Sequence, residues 1–251
     1  MIYVDVHAHL FHEDIDAEKA IQEAENVGVK RIINNALSLD SKAKVKRLSI
    51  NNDICRSALG IYPWDSVSAT DTDIETYIEE LDMESFVAIG EVGLDYMFDE
   101  TDDREAITAR QKETFSRFID KGKTLQKPLI IHSRGAEKDV LEMLETQNAF
   151  NPVLHSFTGS RKLWKRARDN GYYFSIPCSI VKSTHFQYLV EDVPIHQLLT
   201  ETDSPYLSPD TYPNTPKNIP LAVKKIANIK SLDEDETAYQ IFMNYQRLFT
   251  T

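Results

Sequence analysis

The sequence predicts an α/β protein, a single-domain (β/α)8 TIM barrel over residues 1–251, and three observations point to it. Short apolar runs alternate with longer stretches of helical period almost to the C-terminus. The first run ends in His7-Ala8-His9, not in the glycine-rich turn that opens a doubly wound open sheet. The length suits one eight-stranded barrel, and no Gly/Ser tract, low-complexity run or internal repeat divides the chain.

The strand candidates are residues 2–6, 30–34, 54–59, 86–89, 129–131, 153–154, 172–176 and 198–200, several rich in β-branched or aromatic residues. Being continuously apolar, they fit a parallel sheet covered by helices. After the first strand, Ala17, Ala20, Ile21 and Ala24 recur at helical spacing and predict an amphipathic helix. Before the fifth, Phe115, Phe118 and Ile119 form another apolar stripe on a segment otherwise dense in charge. Near the C-terminus, Ser231 with Glu234 has the form of a capping box. It opens a stripe of Ala238, Ile241, Phe242, Tyr245 and Phe249.

Forty acidic residues against 28 basic give a net charge of −12, which disfavours a protein that grips duplex DNA mainly through a basic surface. A polyanionic substrate remains compatible, because bound metals neutralise carboxylates and can make the field at a mouth positive. Cys55 and Cys178 lie in unrelated segments and read as small buried apolar residues, not as a disulfide or a CxxC site. The N-terminal segment lacks the basic and long apolar regions of a secretory signal, and no apolar stretch approaches the ~18 residues that span a bilayer. The expectation is a soluble cytoplasmic protein with no membrane association and no obligate protein partner.

The chemistry concentrates where apolar runs end. His7 and His9, two apart on an extended chain, share one face and supply two nitrogen donors. Glu91, His132 and His155 follow the fourth, fifth and sixth runs, and Asp203 follows the eighth. In a barrel all strand C-termini meet at one face, where active sites lie. Four of the chain's 7 histidines converge there, while His12, His185 and His196 fall outside strand ends and read as ordinary. Four imidazoles and two carboxylates exceed the needs of one tetrahedral zinc, so two divalent ions bridged by a carboxylate or hydroxide fit better. Glu91, midway in the ligand order, is the natural bridge. Asp203 is suited to bind a metal while orienting the attacking water or accepting its proton. The mixed nitrogen and oxygen set suits Zn2+ or Mn2+, and Mg2+ less obviously.

Six stretches carry a resemblance: Asp5-Val6-His7-Ala8-His9, Gly90-Glu91-Val92-Gly93-Leu94-Asp95, Arg110-Gln111-Lys112, Ile130-Ile131-His132-Ser133-Arg134, Leu154-His155-Ser156-Phe157-Thr158-Gly159-Ser160 and Glu201-Thr202-Asp203-Ser204-Pro205-Tyr206-Leu207. Together with Asn218 and Pro220 they resemble, in order, the motifs of the TatD family of metal-dependent deoxyribonucleases, within the amidohydrolase superfamily. The resemblance implies a phosphodiesterase acting on DNA, often as a 3′ to 5′ exonuclease preferring single strands or strand ends, supported by Mg2+ or another divalent ion. It implies that His7, His9, Glu91, His132, His155 and Asp203 are the metal ligands, with Arg134 and Ser204 near the substrate at the rim.

Two positions depart from the family's pattern. Its Gly-x-His-Pro reads Gly60-Ile61-Tyr62-Pro63 here, so Tyr62 offers a hydroxyl or a stacking face in place of an imidazole. The basic residue before Asn218 is Lys217, which keeps the charge but loses arginine's bidentate fork. Both bear on substrate handling and leave the cage intact. Tyr62, Trp64, Tyr96 and Phe157 are expected on loops at the catalytic face, where bases of a single strand can stack, although ordinary loop packing is the better reading for any one of them. The alternatives are a hydrolase of the same barrel acting on an ester, amide or phosphotriester, deacylation of mischarged tRNA included, and a non-catalytic scaffold. The complete set of six ligands argues against the scaffold.

Overall fold

In the computed structural model, which describes residues 1–249, eight parallel strands follow one another around a barrel. They are β1 (Tyr3–Ala8), β2 (Val29–Asn35), β3 (Cys55–Ala58), β4 (Ile89–Asp95), β5 (Leu129–Arg134), β6 (Pro152–His155), β7 (Tyr173–Pro177) and β8 (Leu198–Glu201). Pairing is continuous from β1 to β3 and from β4 to β8. Two seams close the ring with fewer hydrogen bonds. At the β3/β4 seam, Leu59 N–H donates to Ala88 at 3.0 Å and Gly90 N–H to Leu59 at 3.1 Å. At the β8/β1 seam, Asp203 N–H donates to the His7 carbonyl and His9 N–H to the Ser204 carbonyl, each at 2.8 Å. The closed (β/α)8 barrel agrees with the alternation read from the sequence.

Among the described residues ten α-helices surround it: α1 (Ala17–Asn26), α2 (Ser41–Asn51), α3 (Pro63–Ser68), α4 (Asp71–Glu80), α5 (Arg104–Leu125), α6 (Glu137–Thr146), α7 (Arg161–Asp169), α8 (Thr184–Asp192), α9 (Ile219–Lys230) and α10 (Glu234–Phe249). The α1 stripe buries Ala20, Ile21 and Ala24, and the Asp16 side chain caps its start by accepting from Lys19 N–H at 3.1 Å. Phe115, Phe118 and Ile119 of α5 are buried in the same way. Cys55 and Cys178 are free, buried thiols. Among the described residues no helix is long and apolar enough to cross a membrane.

Two element boundaries differ from expectation. The cap of α10 is Asp233, whose carboxylate accepts from Asp235 N–H at 2.8 Å and Glu236 N–H at 3.3 Å. Ser231 is occupied two residues earlier, in the left-handed conformation (φ 53°) that ends α9. The fourth strand begins at Ile89 instead of ending there and runs on through two glycines that resemble turn residues. Those glycines mark close backbone approach. A Cβ on Gly90 would lie 2.8 Å from Ile130 Cβ, and one on Gly93 only 2.0 Å from the His132 carbonyl oxygen. Glu91 therefore sits inside a strand with every residue buried, as His7 and His155 do in theirs, while the strand of His132 is buried up to the exposed Arg134.

An ion pair ties α7 to α8. Asp192 accepts from Arg161 Nε and Nη2, each at 2.7 Å, and from the Trp164 indole at 2.9 Å. The Arg161 guanidinium, against slight desolvation and with help from Trp164, holds the Asp192 carboxyl down at about 2. An unfolded aspartate titrates near ~3.9. A depressed native value stabilises the fold above the unfolded value, and the contribution is lost as pH falls through about 2. Asp192→Asn is thus expected to lower the melting temperature at neutral pH, with the gap to wild type narrowing steadily below about pH 4. Calorimetry across that range checks it, and a gap independent of pH would contradict the assignment.

Candidate metal centre

The barrel seams and strand ends bring the six predicted ligands together. His7 on β1 is fully buried, and His9 lies one residue beyond that strand. The His9 ring places Nδ1 2.9 Å from the Asn35 carbonyl of β2. A carbonyl only accepts, so Nδ1 carries a proton and Nε2 is the nitrogen left to bind a cation. Asp203, in the left-handed conformation (φ 54°), is pinned through its own N–H to His7. Behind both, Asp5 accepts from Thr202 N–H at 3.0 Å, Thr202 Oγ1 at 2.5 Å and His7 N–H at 3.2 Å. This buried clasp sets the register of β1 against the loop after β8.

Glu91 turns one carboxylate oxygen to each half of the cluster. Its Oε2 is 3.3 Å from His7 Nε2 and 3.4 Å from His9 Nε2. Its Oε1 is 2.8 Å from His132 Nδ1 and 3.5 Å from His155 Nε2. Asp203 Oδ1 is 3.5 Å from both His7 Nε2 and His9 Nε2. Among the described residues three groups have their donor atoms within 4.8 Å of one another: His7, His9 and Asp203; Glu91, His132 and His155; and His7, His155 and Glu201.

Several metal-donor atoms face one another at short range. His132 Nδ1 is buried without a hydrogen-bond partner, although Glu91 Oε1 lies 2.8 Å away. The His7 and His9 Nε2 atoms are 3.1 Å apart. Lone pairs converging on common points are what a cation resolves, so the residues fit divalent metal. The charge balance agrees. Burial opposes ionisation of His9 and His132, yet the carboxylates outweigh it and lift them to about 10 and about 9. Burial likewise opposes charge on Glu91, but the surrounding imidazoles hold its carboxyl well below the usual range. The centre thus attracts positive charge strongly.

Set beside known proteins, residues 4–250 match the family model of the TatD-related DNases. The chain belongs to the TatD-related DNase family. It is 31% identical over 255 residues to an uncharacterised metal-dependent hydrolase of Bacillus subtilis, YabD, covering 98% of each chain. It is 32% identical over 262 residues to the human deoxyribonuclease TATDN3, covering 98% of this chain and 94% of that one. The solved structure of YJJV, a TatD homologue from Escherichia coli, matches with a TM-score of 0.90 at 25% identity, covering 99% of this chain and 98% of that one. As a member of this family the chain is a metal-dependent hydrolase that uses divalent ions.

The TatD-type centre opens into a cavity of about 600 Å³ walled by Leu37, Tyr62, Asp65, Arg134, Tyr206 and Leu207. Arg134 stands at its edge with 61% of its side chain exposed. Tyr62 is present too, but its hydroxyl is committed to Asp95 Oδ2 at 2.6 Å, not offered to phosphate. Ser204 is not brought to the cavity. It is fully buried, its hydroxyl 2.6 Å from Thr202 Oγ1, because its backbone forms the β8/β1 seam. Lys217 does not wall the cavity either: it pairs with Glu23 of α1 at 2.7 Å. The aromatics of the face are mostly taken up by packing. Phe157 is 1% exposed and packs edge-on against Phe174, while Trp64 and Tyr96 pack against Phe98. Tyr206, 45% exposed, is the rim aromatic that motif spacing did not single out.

Two carboxylates behind the candidate ligands were also passed over. Asp95 Oδ2 lies 2.8 Å from His132 Nε2, and both Glu201 oxygens lie 3.2 Å from His155 Nδ1. Burial raises the Glu201 carboxyl well above its ordinary value. The signal was available. Asp95 is four residues from Glu91 and Glu201 two from Asp203, spacings that return to the same side of an extended chain.

Proposed function

We propose that this chain is a deoxyribonuclease that hydrolyses phosphodiester bonds of single strands or strand ends at the barrel mouth, with two divalent ions held by His7, His9, Glu91, His132, His155 and Asp203. The observation that carries the reading is Glu91, whose Oε2 faces His7 and His9 while its Oε1 faces His132 and His155. A carboxylate so shared suits a bridge between two ions, and paired ions suit in-line displacement at phosphorus. When bound, such ions supply Lewis acidity toward a phosphoryl oxygen and make water more acidic.

The remaining roles belong to the protein. Asp203 and Glu91 both line the cavity, and Asp203, with 14% of its side chain exposed against 3% for Glu91, is the more open of the two carboxylates. Burial opposes its ionisation, but His9, His155 and His7 outweigh it and keep the carboxyl below its ordinary value. It is therefore a carboxylate at neutral pH, able to orient water and accept its proton. Arg134 offers an exposed guanidinium to a substrate phosphate. The cavity has the size of a small-ligand site, which suits one strand or a strand end and not a duplex. Tyr206 offers a face on which a base can stack.

Protein stripped with a chelator is expected to lose hydrolysis of end-labelled single-stranded oligonucleotides and to regain it with Mg2+, Mn2+ or Zn2+. Placing the label at either end reads the polarity of digestion. Metal-loaded protein that leaves DNA intact while cleaving an ester or amide would transfer the centre to another bond. Absence of any divalent requirement would sink the metal reading.

A further inference from the structure

We propose that Asp95 and Tyr62 are positioning residues that hold the His132 imidazole with its proton on Nε2, so that Nδ1 is the nitrogen presented to Glu91 and the cation. This rests on the metal-centre reading and goes beyond it, to how one ligand is selected.

Asp95 Oδ2 lies 2.8 Å from His132 Nε2 and 2.6 Å from the Tyr62 hydroxyl. A carboxylate only accepts, so both partners donate to it and the imidazole proton must sit on Nε2. Asp95 cannot turn away. Its Oδ1 accepts from Met97 N–H at 2.9 Å, its own N–H donates to Gln111 Oε1 at 2.9 Å, and it is 1% exposed. Turning the ring over would place a C–H where Nε2 donates and a second C–H toward Glu91. The arrangement is therefore a one-way choice.

Tyr62 reinforces it from the cavity side. Its ring meets the His132 ring edge-on, with centroids 4.9 Å apart and an interplanar angle of 70°. Its hydroxyl oxygen is 3.4 Å from His132 Nε2 and caps the contact between Asp95 and His132 against solvent. A phenol also stays neutral beside the cluster, whereas an imidazole at this position can charge and repel a cation. The departure from the family's Gly-x-His-Pro pattern thus has a structural partner in Asp95.

The test uses full-length protein and zinc alone. Calorimetric titration of chelator-stripped wild type, Asp95→Asn, Tyr62→Phe and the double variant reads affinity. Nitrogen NMR of the zinc-loaded proteins reads which ring nitrogen of His132 carries hydrogen. Wild type is expected to show a slowly exchanging Nε2–H. Asp95→Asn should weaken zinc binding by about 10–100-fold and lose that slow exchange. Tyr62→Phe should keep the proton on Nε2 but speed its exchange at unchanged melting temperature, and should add little on top of Asp95→Asn. Should Asp95→Asn fail to fold, Tyr62→Phe still decides, because a structural role alone would not move the exchange rate. Wild-type zinc affinity in a folded Asp95→Asn protein, unchanged exchange in Tyr62→Phe, or a proton on Nδ1 in the zinc-loaded wild type would each overturn the proposal. A wild type that takes up no zinc would instead overturn the metal-centre reading together with it.

Discussion

Glu91→Ala is expected to reduce phosphodiester hydrolysis by about 1,000-fold or more while leaving the far-ultraviolet circular dichroism unchanged. Glu91 is the one side chain with an oxygen turned toward each half of the centre. Without it, four imidazoles remain with Asp203 beside His7 and His9 and Asp95 behind His132 as compensating charges, and no carboxylate lies between the two halves to support a second cation. Metal-derived stabilisation of phosphoryl charge contributes several kcal/mol, and about 4 kcal/mol corresponds to about 1,000-fold in rate. The fold should tolerate the change, because β4 is held by its backbone pairing to β5 and by the apolar residues Ile89, Val92 and Leu94. Metal content and oligonucleotide turnover, measured on the same preparation, check both halves of the expectation. Activity within tenfold of wild type would show that Glu91 is not shared between ions.

Gly93→Ala is expected to destabilise the protein by about 3 kcal/mol or more and to impair the centre in the same step. Gly93 has φ 144°, and an added Cβ would meet the His132 carbonyl oxygen at 2.0 Å, its carbon at 3.0 Å and its nitrogen at 3.1 Å. All three are backbone atoms, so the clash is relieved only by parting β4 from β5 where Glu91 and His132 meet. For a chain of this size that loss corresponds to a fall of roughly 6–12 °C in melting temperature. Gly171→Ala provides the control. Its φ of 76° is also positive, but an added Cβ there meets nothing within 4 Å. Only backbone strain of about 1 kcal/mol is expected, with metal uptake unchanged. Equal effects from the two substitutions would show that close strand approach is not what Gly93 provides.

Much of the centre was legible because metal chemistry limits which residue types can serve, and because barrel strands deliver their ends to one face. His7, His9, Glu91, His132, His155 and Asp203 were found by type and by position after apolar runs, and the structure gathers all six within hydrogen-bonding or ion-pairing distance of a neighbour in the cluster. The extent of β4 was not legible. Glycines that usually interrupt a strand are placed here by the need for close packing, a requirement set by the neighbouring strand. The rim was the least legible part. Ser204 and Lys217 are polar residues close in sequence to predicted site elements, but one completes a barrel seam and the other pairs with Glu23.

The sequence by itself determined the alternation of strand and helix, the barrel, and the set of candidate metal-binding side chains, since periodicity and ligand chemistry are local properties of the chain. Only the tertiary structure decided which atoms face which. The Glu91 oxygens divide between two pairs of histidines, Asp95 and Tyr62 fix one of those rings, and Asp5 clasps β1 to the loop after β8. Those assignments join residues up to 197 positions apart along the chain. They depend on strand register and on which polar groups find partners once water is excluded, and a single side chain's identity carries neither.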